Sequence, residues 1–128
     1  MNGSDSFDDE TLQLLDEIEE VHVETRREQD APEHRTIIWV MVVDGEVFVR
    51  SVRGPRGRWY REISANPEGA LHAGNHRIPV RAAHATDGST VEAVSEAIRG
   101  KYGDAWPGPT AGMLRPETLP TTLKLLPV

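Results

Sequence analysis

Residues 50–61 carry five arginines and no acidic residue, although the formal charge of the 128-residue chain is -7. Guanidinium groups match phosphate and carboxylate oxygens in two-point geometry, and an adjacent aromatic side chain can stack on a planar ring. Glycines leave backbone N–H groups open to an anion, and so does a helix start. The segment therefore favours a site for a flat, anionic ligand, with these contacts: Arg50, Arg53, Gly54, Gly57 and Arg58.

The same segment also fits a solvated, charged connection between a hairpin and a helix, and composition alone does not separate the two interpretations. Trp59 can cover a ring ligand, but an isolated tryptophan more often packs in a core. Tyr60 has the stronger claim to a ligand because its hydroxyl needs a polar partner.

Other catalytic chemistries have little support in the sequence. The chain has no cysteine, and its five histidines show no zinc-binding spacing, so no metal site is expected. There is no G-x-S-x-G nucleophile motif, no phosphate-binding Walker loop and no G-x-G-x-x-G fingerprint. The arginine-rich segment is thus the main functional signal.

The composition is that of one globular domain, with 38% hydrophobic residues. We expect residues 1–7 to form a disordered acidic N-terminus and residues 8–128 a single domain. Eight acids and no base lie in the first twenty residues, so the remainder is nearly neutral. The basic signal is local, which disfavours nucleic acid as a partner. The chain has no membrane span or signal pattern, and a cytoplasmic location is the expectation.

The elements that must position the arginines begin with a continuous apolar run, residues 36–43, which predicts one strand buried on both faces or lining a barrel. Asp44 and Gly45 predict a two-residue hairpin turn, because both tolerate positive φ. Residues 46–52 form the returning strand, and residues 58–65 read as a helix ended by Asn66 and Pro67.

Elsewhere the periodicity predicts further strands and helices. Strands are expected at residues 21–24, 70–73, 77–83 and 121–126. Helices are expected at residues 8–20 and from a capping box at residues 89–92 to about Lys101, with Gly103 at its C-terminus and loops at residues 26–34 and 106–109. Such a set indicates an α+β protein, a small antiparallel split β-barrel with flanking helices, since closure removes exposed strand edges.

Residues 38–62, I-W-V-M-V-V-D-G-E-V-F-V-R-S-V-R-G-P-R-G-R-W-Y-R-E, and the tail T-T-L-K-L-L-P resemble the bacterial family called domain of unknown function 2255 (DUF2255). The T-R-R at residues 25–27 and the K-Y-G at residues 101–103 occur in similar order. The family looks like a branch of the flavin-binding split-barrel superfamily. The segment V-x-S-x-x-G-x-x-x-x-W-Y-R-x-x-x-A-N-P is similar to that of deazaflavin-dependent nitroreductases.

The resemblance implies a cofactor, FMN or coenzyme F420, and a reductase or oxidase activity in which the cofactor performs hydride transfer. It also implies a homodimer. The G-R-x-S-G turn of those nitroreductases has no equivalent in residues 25–35. The positions that carry over as cofactor-binding are Thr36, Ile38, Trp39, Arg50, Ser51, Arg53, Gly57, Arg58, Trp59 and Tyr60.

Two other functions stay open at this point. The first is a non-catalytic module that keeps the barrel and binds a small molecule or a protein through the arginine-rich turn. The second is single-stranded nucleic-acid binding by a small barrel, which the acidic balance makes the weakest of the three. Neither the substrate nor the choice between FMN and coenzyme F420 follows from the residues.

Overall fold

The computed structural model describes residues 6–128, and the expectation of disorder at residues 1–7 falls mainly on residues outside this range. Phe7, which is described, packs against the core. The helices are α1 (Asp9–Glu17), α2 (Arg58–Ala65), α3 (Gly88–Tyr102) and α4 (Pro107–Met113). The strands are β1 (Val21–Arg26), β2 (Glu33–Ile38), β3 (Met41–Val43), β4 (Glu46–Val49), β5 (Glu68–Ala73), β6 (His76–His84) and β7 (Leu123–Pro127). The α+β class is therefore confirmed.

The strands form one antiparallel sheet in the order β2-β1-β5-β6-β7-β4-β3. In a flat sheet, six strand spacings would separate the two edge strands by about 29 Å. However, β2 and β3 are joined by only Trp39 and Val40, and that connection spans at most about 11 Å. The sheet must therefore curl until its edges approach each other, which makes an open barrel.

The break between β2 and β3 corrects the prediction of one strand over residues 36–43. Trp39 stacks on Tyr102, with ring centroids 3.9 Å apart. The Tyr102 hydroxyl accepts from the Val40 N–H at 3.3 Å and donates to the Glu19 carbonyl at 2.7 Å. Lys101 donates to the carbonyls of Val40 and Leu15 at 2.8 and 2.9 Å. Contacts more than sixty residues distant in sequence thus fix the bend.

The β3–β4 hairpin has the predicted turn, with φ of 52° at Asp44 and 77° at Gly45. The apolar residues of this hairpin pack into two separate hydrophobic cores. Val47 and Val49 belong to the core inside the barrel, with Leu15, Trp59 and other side chains of α1 and α2. Met41 and Phe48 face outward and pack on Val94, Ile98 and Met113 of α3 and α4. A strand covered on both faces needs no polar alternation.

Some of the predicted helix ends are confirmed and others are wrong. α2 has the predicted bounds, and Gly103 follows the end of α3 as predicted. The capping box at residues 89–92 was wrong, because Asp87 caps α3 and accepts from the Thr90 N–H at 3.1 Å. The loop predicted at residues 106–109 is also wrong in part: Pro107 opens α4 at a position where its missing N–H is not needed.

No helix within residues 6–128 is long and apolar enough to cross a membrane.

Candidate functional site

A cavity of about 840 Å³ opens between the end of β2, the turn after β4 and the start of α2. Three distant segments complete it: the link between α1 and β1, Trp106 and α4. A volume of this size accommodates a cofactor-sized ligand. We call it the main cavity, and its lining residues are Glu19, Glu20, Thr36, Ile37, Ile38, Trp39, Arg50, Ser51, Val52, Arg53, Gly57, Arg58, Trp59, Trp106, Pro109 and Met113.

The walls of the main cavity are largely apolar, and three large apolar side chains in them are exposed to solvent. Ile37, Val52 and Trp106 have 56%, 46% and 43% of their surface exposed. Val128 is the other exposed large hydrophobic residue within the described range, so such side chains concentrate at this cavity. Exposed apolar surface beside a concave site is typical of a face that a ligand or a second protein covers.

The start of α2 supplies the polar end of the cavity. Gly57 precedes the helix, and no side chain caps the N–H groups of its first turn. Arg53 and Arg58 line the cavity on either side of Gly57, and within residues 6–128 no carboxylate lies within 4.0 Å of either guanidinium. Uncapped helical N–H groups and guanidiniums without a carboxylate partner are the donors that an anion-binding site requires.

The turn between β4 and α2 uses its own polar groups more than the sequence suggested. The Gly54 and Gly57 N–H groups donate to the carbonyls of Ser51 and Gly54, so they do not face a ligand. The Ser51 hydroxyl donates to the Gly54 carbonyl at 2.8 Å. A Cβ atom on Gly57 would lie 2.5 Å from that hydroxyl, so only glycine fits there. The turn is held by its own hydrogen bonds, and the N–H groups left without a partner are those of the first turn of α2.

Arg50 lies in the cavity wall but is 1% exposed, and its guanidinium points into the protein. It donates to the Thr122 hydroxyl at 2.9 Å, the Ser95 hydroxyl at 3.0 Å, and the carbonyls of Met113 and Val91 at 3.3 and 3.0 Å. Four of its five N–H groups are thereby used. Burial lowers the pKa of Arg50 to about 10, partly offset by Glu92, so the side chain is charged at neutral pH.

Nine of the ten residues chosen from the sequence line the main cavity, and the tenth does not. The Tyr60 hydroxyl instead lies 3.0 Å from Nε2 of His84. Trp59 does both things foreseen for it, because it packs in the barrel core and lines the cavity. Ile37 also lines the cavity, as expected for the strand segment from Thr36 to Trp39. Sequence reasoning missed the walls contributed by Glu19, Glu20, Val52, Pro109 and Met113, for which the spacing held no signal.

A second group of polar side chains lies on the outer side of β1. Ligand atoms of Glu24, Glu33 and His72 lie within 4.8 Å of one another, as metal ligands would. However, Glu24 already accepts from Arg77 at 3.0 and 3.1 Å and lies 2.8 Å from Nε2 of His72. Its carboxylate is neutralised by protein cations, so the group is better described as an ion-pair network than as an open metal site.

Solved structures with the same fold define the class of this protein. A Listeria innocua protein with the provisional name pyridoxamine 5'-phosphate oxidase is 17% identical, with a TM-score of 0.61 over 94% of this chain and 90% of that one. The heme storage protein HutZ from Vibrio cholerae is 10% identical, with a TM-score of 0.65 over 96% and 91%. An F420-H2 dependent reductase, FDR-A, is 13% identical, with a TM-score of 0.59 over 84% and 92%.

At these identities the likeness establishes the fold alone, and the predicted split barrel is confirmed. The family follows from the sequence. The chain belongs to the family described as an uncharacterized protein conserved in bacteria (DUF2255), whose model matches residues 11–125. No curated protein sequence is significantly similar to this chain.

Proposed function

We propose that this protein binds a flavin-type cofactor, FMN or coenzyme F420, in the main cavity and acts as an oxidoreductase in the cytoplasm. The observation that carries the proposal is the pairing of apolar walls with an anion site at one end of the same cavity. Trp39, Trp59 and Trp106 provide flat surfaces for a ring system. Arg53, Arg58 and the first turn of α2 provide donors for the phosphate group.

The cavity residues fit the chemistry that such a cofactor supplies. A flavin or deazaflavin carries the hydride itself, so the protein needs to bind it, orient it and exclude water. The apolar lining excludes water. Hydrogen bonds within the turn from Ser51 to Gly57 fix the backbone that carries Arg53 and leads into Arg58. This division of labour needs no nucleophile among the lining residues, and the Ser51 hydroxyl is already bonded to the Gly54 carbonyl.

A homodimer forms part of the same proposal. The exposed side chains of Ile37, Val52 and Trp106 surround the cavity, and a second copy of the chain would cover apolar surface that a bound ring leaves open. One protein of similar fold is a domain-swapped dimer, with 14% identity and a TM-score of 0.60 over 84% of this chain and 78% of that one.

The test is equilibrium dialysis against FMN and against coenzyme F420, together with an absorbance spectrum of the protein as purified. We expect saturable binding of one of them below about 50 μM, which is the weak end for a cofactor. Arg53→Ala combined with Arg58→Ala should weaken that binding by about a hundredfold, because two charge-assisted contacts to a phosphate are lost.

The matched control is Arg56→Ala, which removes an exposed arginine of the same turn that does not line the main cavity. It should change binding by no more than about twofold, since only screened long-range attraction is lost. Retention of neither cofactor by the wild-type protein would exclude the proposal. It would leave a non-catalytic binding module, the alternative expected from the sequence.

A further inference from the structure

A second, smaller cavity lies on the other side of Arg58 and is not used by the proposed function. Its volume is about 440 Å³, and we call it the basic pocket. The lining residues come from β2, from α2 and from the segment after β1: Arg27, His34, Arg58, Arg61, Glu62 and Ala65. Within residues 6–128, no carboxylate lies within 4.0 Å of any of its three guanidiniums.

A buried carboxylate lines this pocket and organises it. Glu62 is 5% exposed and accepts from the Thr25 hydroxyl at 2.7 Å, and its other oxygen lies 2.9 Å from Nδ1 of His34. Burial raises the pKa of Glu62, but the hydrogen bonds from Thr25 and His34 outweigh it, so the pKa lies below its usual value. One negative charge thus faces three guanidiniums, and the pocket carries an excess of two positive charges.

The carboxylate also fixes the orientation of His34. Because Nδ1 faces an ionised oxygen, it carries a hydrogen, and Nε2 remains free to accept a hydrogen bond when the ring is neutral. The His34 side chain is 38% exposed and lines the pocket. A hydroxyl group of a bound molecule is the donor that this nitrogen would suit.

We propose that the basic pocket is a second binding site, which takes the phosphate or carboxylate group of a small hydroxylated anion. Arg27, Arg58 and Arg61 bind the anionic group, since guanidiniums without a carboxylate partner pair well with these oxygens. His34, held by Glu62, accepts from the hydroxyl group. The site is separate from the main cavity except at Arg58, which lines both.

Inorganic phosphate and glycerol 3-phosphate are the probes, titrated against ¹⁵N-labelled full-length protein and followed by NMR. Amide signals of Arg27, His34 and residues 61–65, which the main cavity does not include, should shift saturably with both ligands, and glycerol 3-phosphate should have the lower dissociation constant. Arg61→Ala should raise both dissociation constants by about tenfold, because one charge-assisted contact is lost. His34→Ala should weaken glycerol 3-phosphate binding more than phosphate binding.

Arg56→Ala is again the matched control, because it removes the same charge from outside the pocket. It should change either dissociation constant by less than about twofold. Equal weakening by Arg56→Ala and Arg61→Ala would overturn the site, as it would show only general attraction to a basic surface.

A competition experiment with the cofactor separates this site from the main cavity. Because Arg58 lines both cavities, saturation with whichever of FMN and coenzyme F420 the protein retains should weaken phosphate binding by about tenfold at most. Complete loss of phosphate binding would overturn the proposal, since the two cavities would then hold one ligand. Arg61 lines the basic pocket alone, so a failure here leaves the cofactor proposal untouched, and the reverse also holds.

Discussion

Two buried charged groups, Arg50 and Glu24, are stabilised in opposite ways. Arg50 is 1% exposed and is bound by hydroxyl and carbonyl oxygens, all of them neutral. Glu24 is 3% exposed, is bound by the cation Arg77, lies 3.9 Å from the Arg26 guanidinium and is in hydrogen-bond contact with His72. All three guanidinium nitrogens of Arg50 and both carboxylate oxygens of Glu24 have hydrogen-bond partners, but only the charge of Glu24 is neutralised at close range.

The difference indicates where the protein attracts a ligand. A charge that its own chain neutralises leaves little field outside, whereas a buried charge with neutral partners leaves its field in a low-dielectric surrounding. Arg50 lies in the wall of the main cavity, so its field would favour the anionic group proposed to bind there and would oppose that of Glu19 and Glu20, which line the same cavity. Arg53 and Arg58 add to the same field from the turn. The ion-pair network at Glu24 serves stability instead.

The largest effect is expected from Arg50→Met, which removes the guanidinium and its charge but keeps an unbranched side chain that reaches about as far as Nε. Arg50 joins the end of β4 to α3, to α4 and to Thr122 before β7, so its loss leaves several buried acceptors unpaired. The free energy of unfolding should fall by about 3–5 kcal/mol, a large part of the stability of a domain this size. Urea denaturation at pH 7 measures the loss.

Arg50→Lys is the control that separates charge from geometry. Lysine keeps the positive charge but lacks the planar fork that reaches several acceptors, so we expect a loss of about half that of Arg50→Met. If Arg50→Met were as stable as the wild type, the hydrogen bonds would only offset the desolvation of the guanidinium. The field argument would then be the only reason for a charged residue at this position.

A smaller effect is expected from Glu24→Gln. Hydrogen bonds from Arg77 outweigh burial and hold the pKa of Glu24 at about 2, below its usual 4.5. A carboxylate with a lowered pKa stabilises the fold above pH 4.5, and that contribution disappears as the pH falls towards 2. At pH 7 the variant should be less stable by about 3 kcal/mol, which is the free energy that corresponds to lowering the pKa from 4.5 to about 2.

Urea denaturation between pH 3 and pH 7 checks the sign as well as the size. The difference between wild type and Glu24→Gln should shrink steadily below pH 4.5. Glu33→Gln is the matched control, because Glu33 pairs with Arg26 and Arg35 but its side chain is 35% exposed. A constant difference across the pH range would mean that Glu24 acts through packing rather than through its charge.

Structural features that depend on contacts close in sequence were predicted, and features that depend on contacts distant in sequence were not. The Asp44–Gly45 turn and the bounds of α2 depend on backbone preferences within a few residues, and both were predicted. The bend at Trp39 depends on Lys101 and Tyr102, which no local pattern connects to it. Pro107 carried a recognisable signal for a helix start that the loop interpretation overlooked.

The candidate site was foreseen as a segment but not as a cavity. Residues along one strand end and one turn were predicted together because they are close in sequence. The opposite wall comes from Glu19, Glu20 and Trp106, whose position depends on how the sheet curls. The burial of Arg50 was likewise hidden, since its acceptors lie 41 to 72 residues away in sequence. Glu24 had no marker in the sequence that set it apart from surface acids.

The smallest effect is expected from Arg77→Ala, which tests how the charge of Glu24 is shared among its partners. Arg77 is the main cause of the lowered pKa of Glu24, yet its side chain is 54% exposed. Water screens such a pair, so the loss at pH 7 should be about 0.5–1 kcal/mol. The pKa of Glu24 should rise towards its usual value, and the acid-induced loss of stability should move to higher pH.

Arg81→Ala is the matched comparison for Arg77→Ala, because Arg81 lies on the same strand, β6, and pairs with Glu68 of β5, with both side chains mostly exposed. It should change stability by less than about 0.5 kcal/mol and leave the pH dependence of stability below pH 4.5 unchanged. If Arg77→Ala also left this pH dependence unchanged, His72 and Arg26 would be sufficient to hold Glu24 ionised. That result would sharpen the contrast with Arg50. Glu24 would stay ionised with only part of its contacts, whereas Arg50 has no carboxylate within 4.0 Å in the described chain.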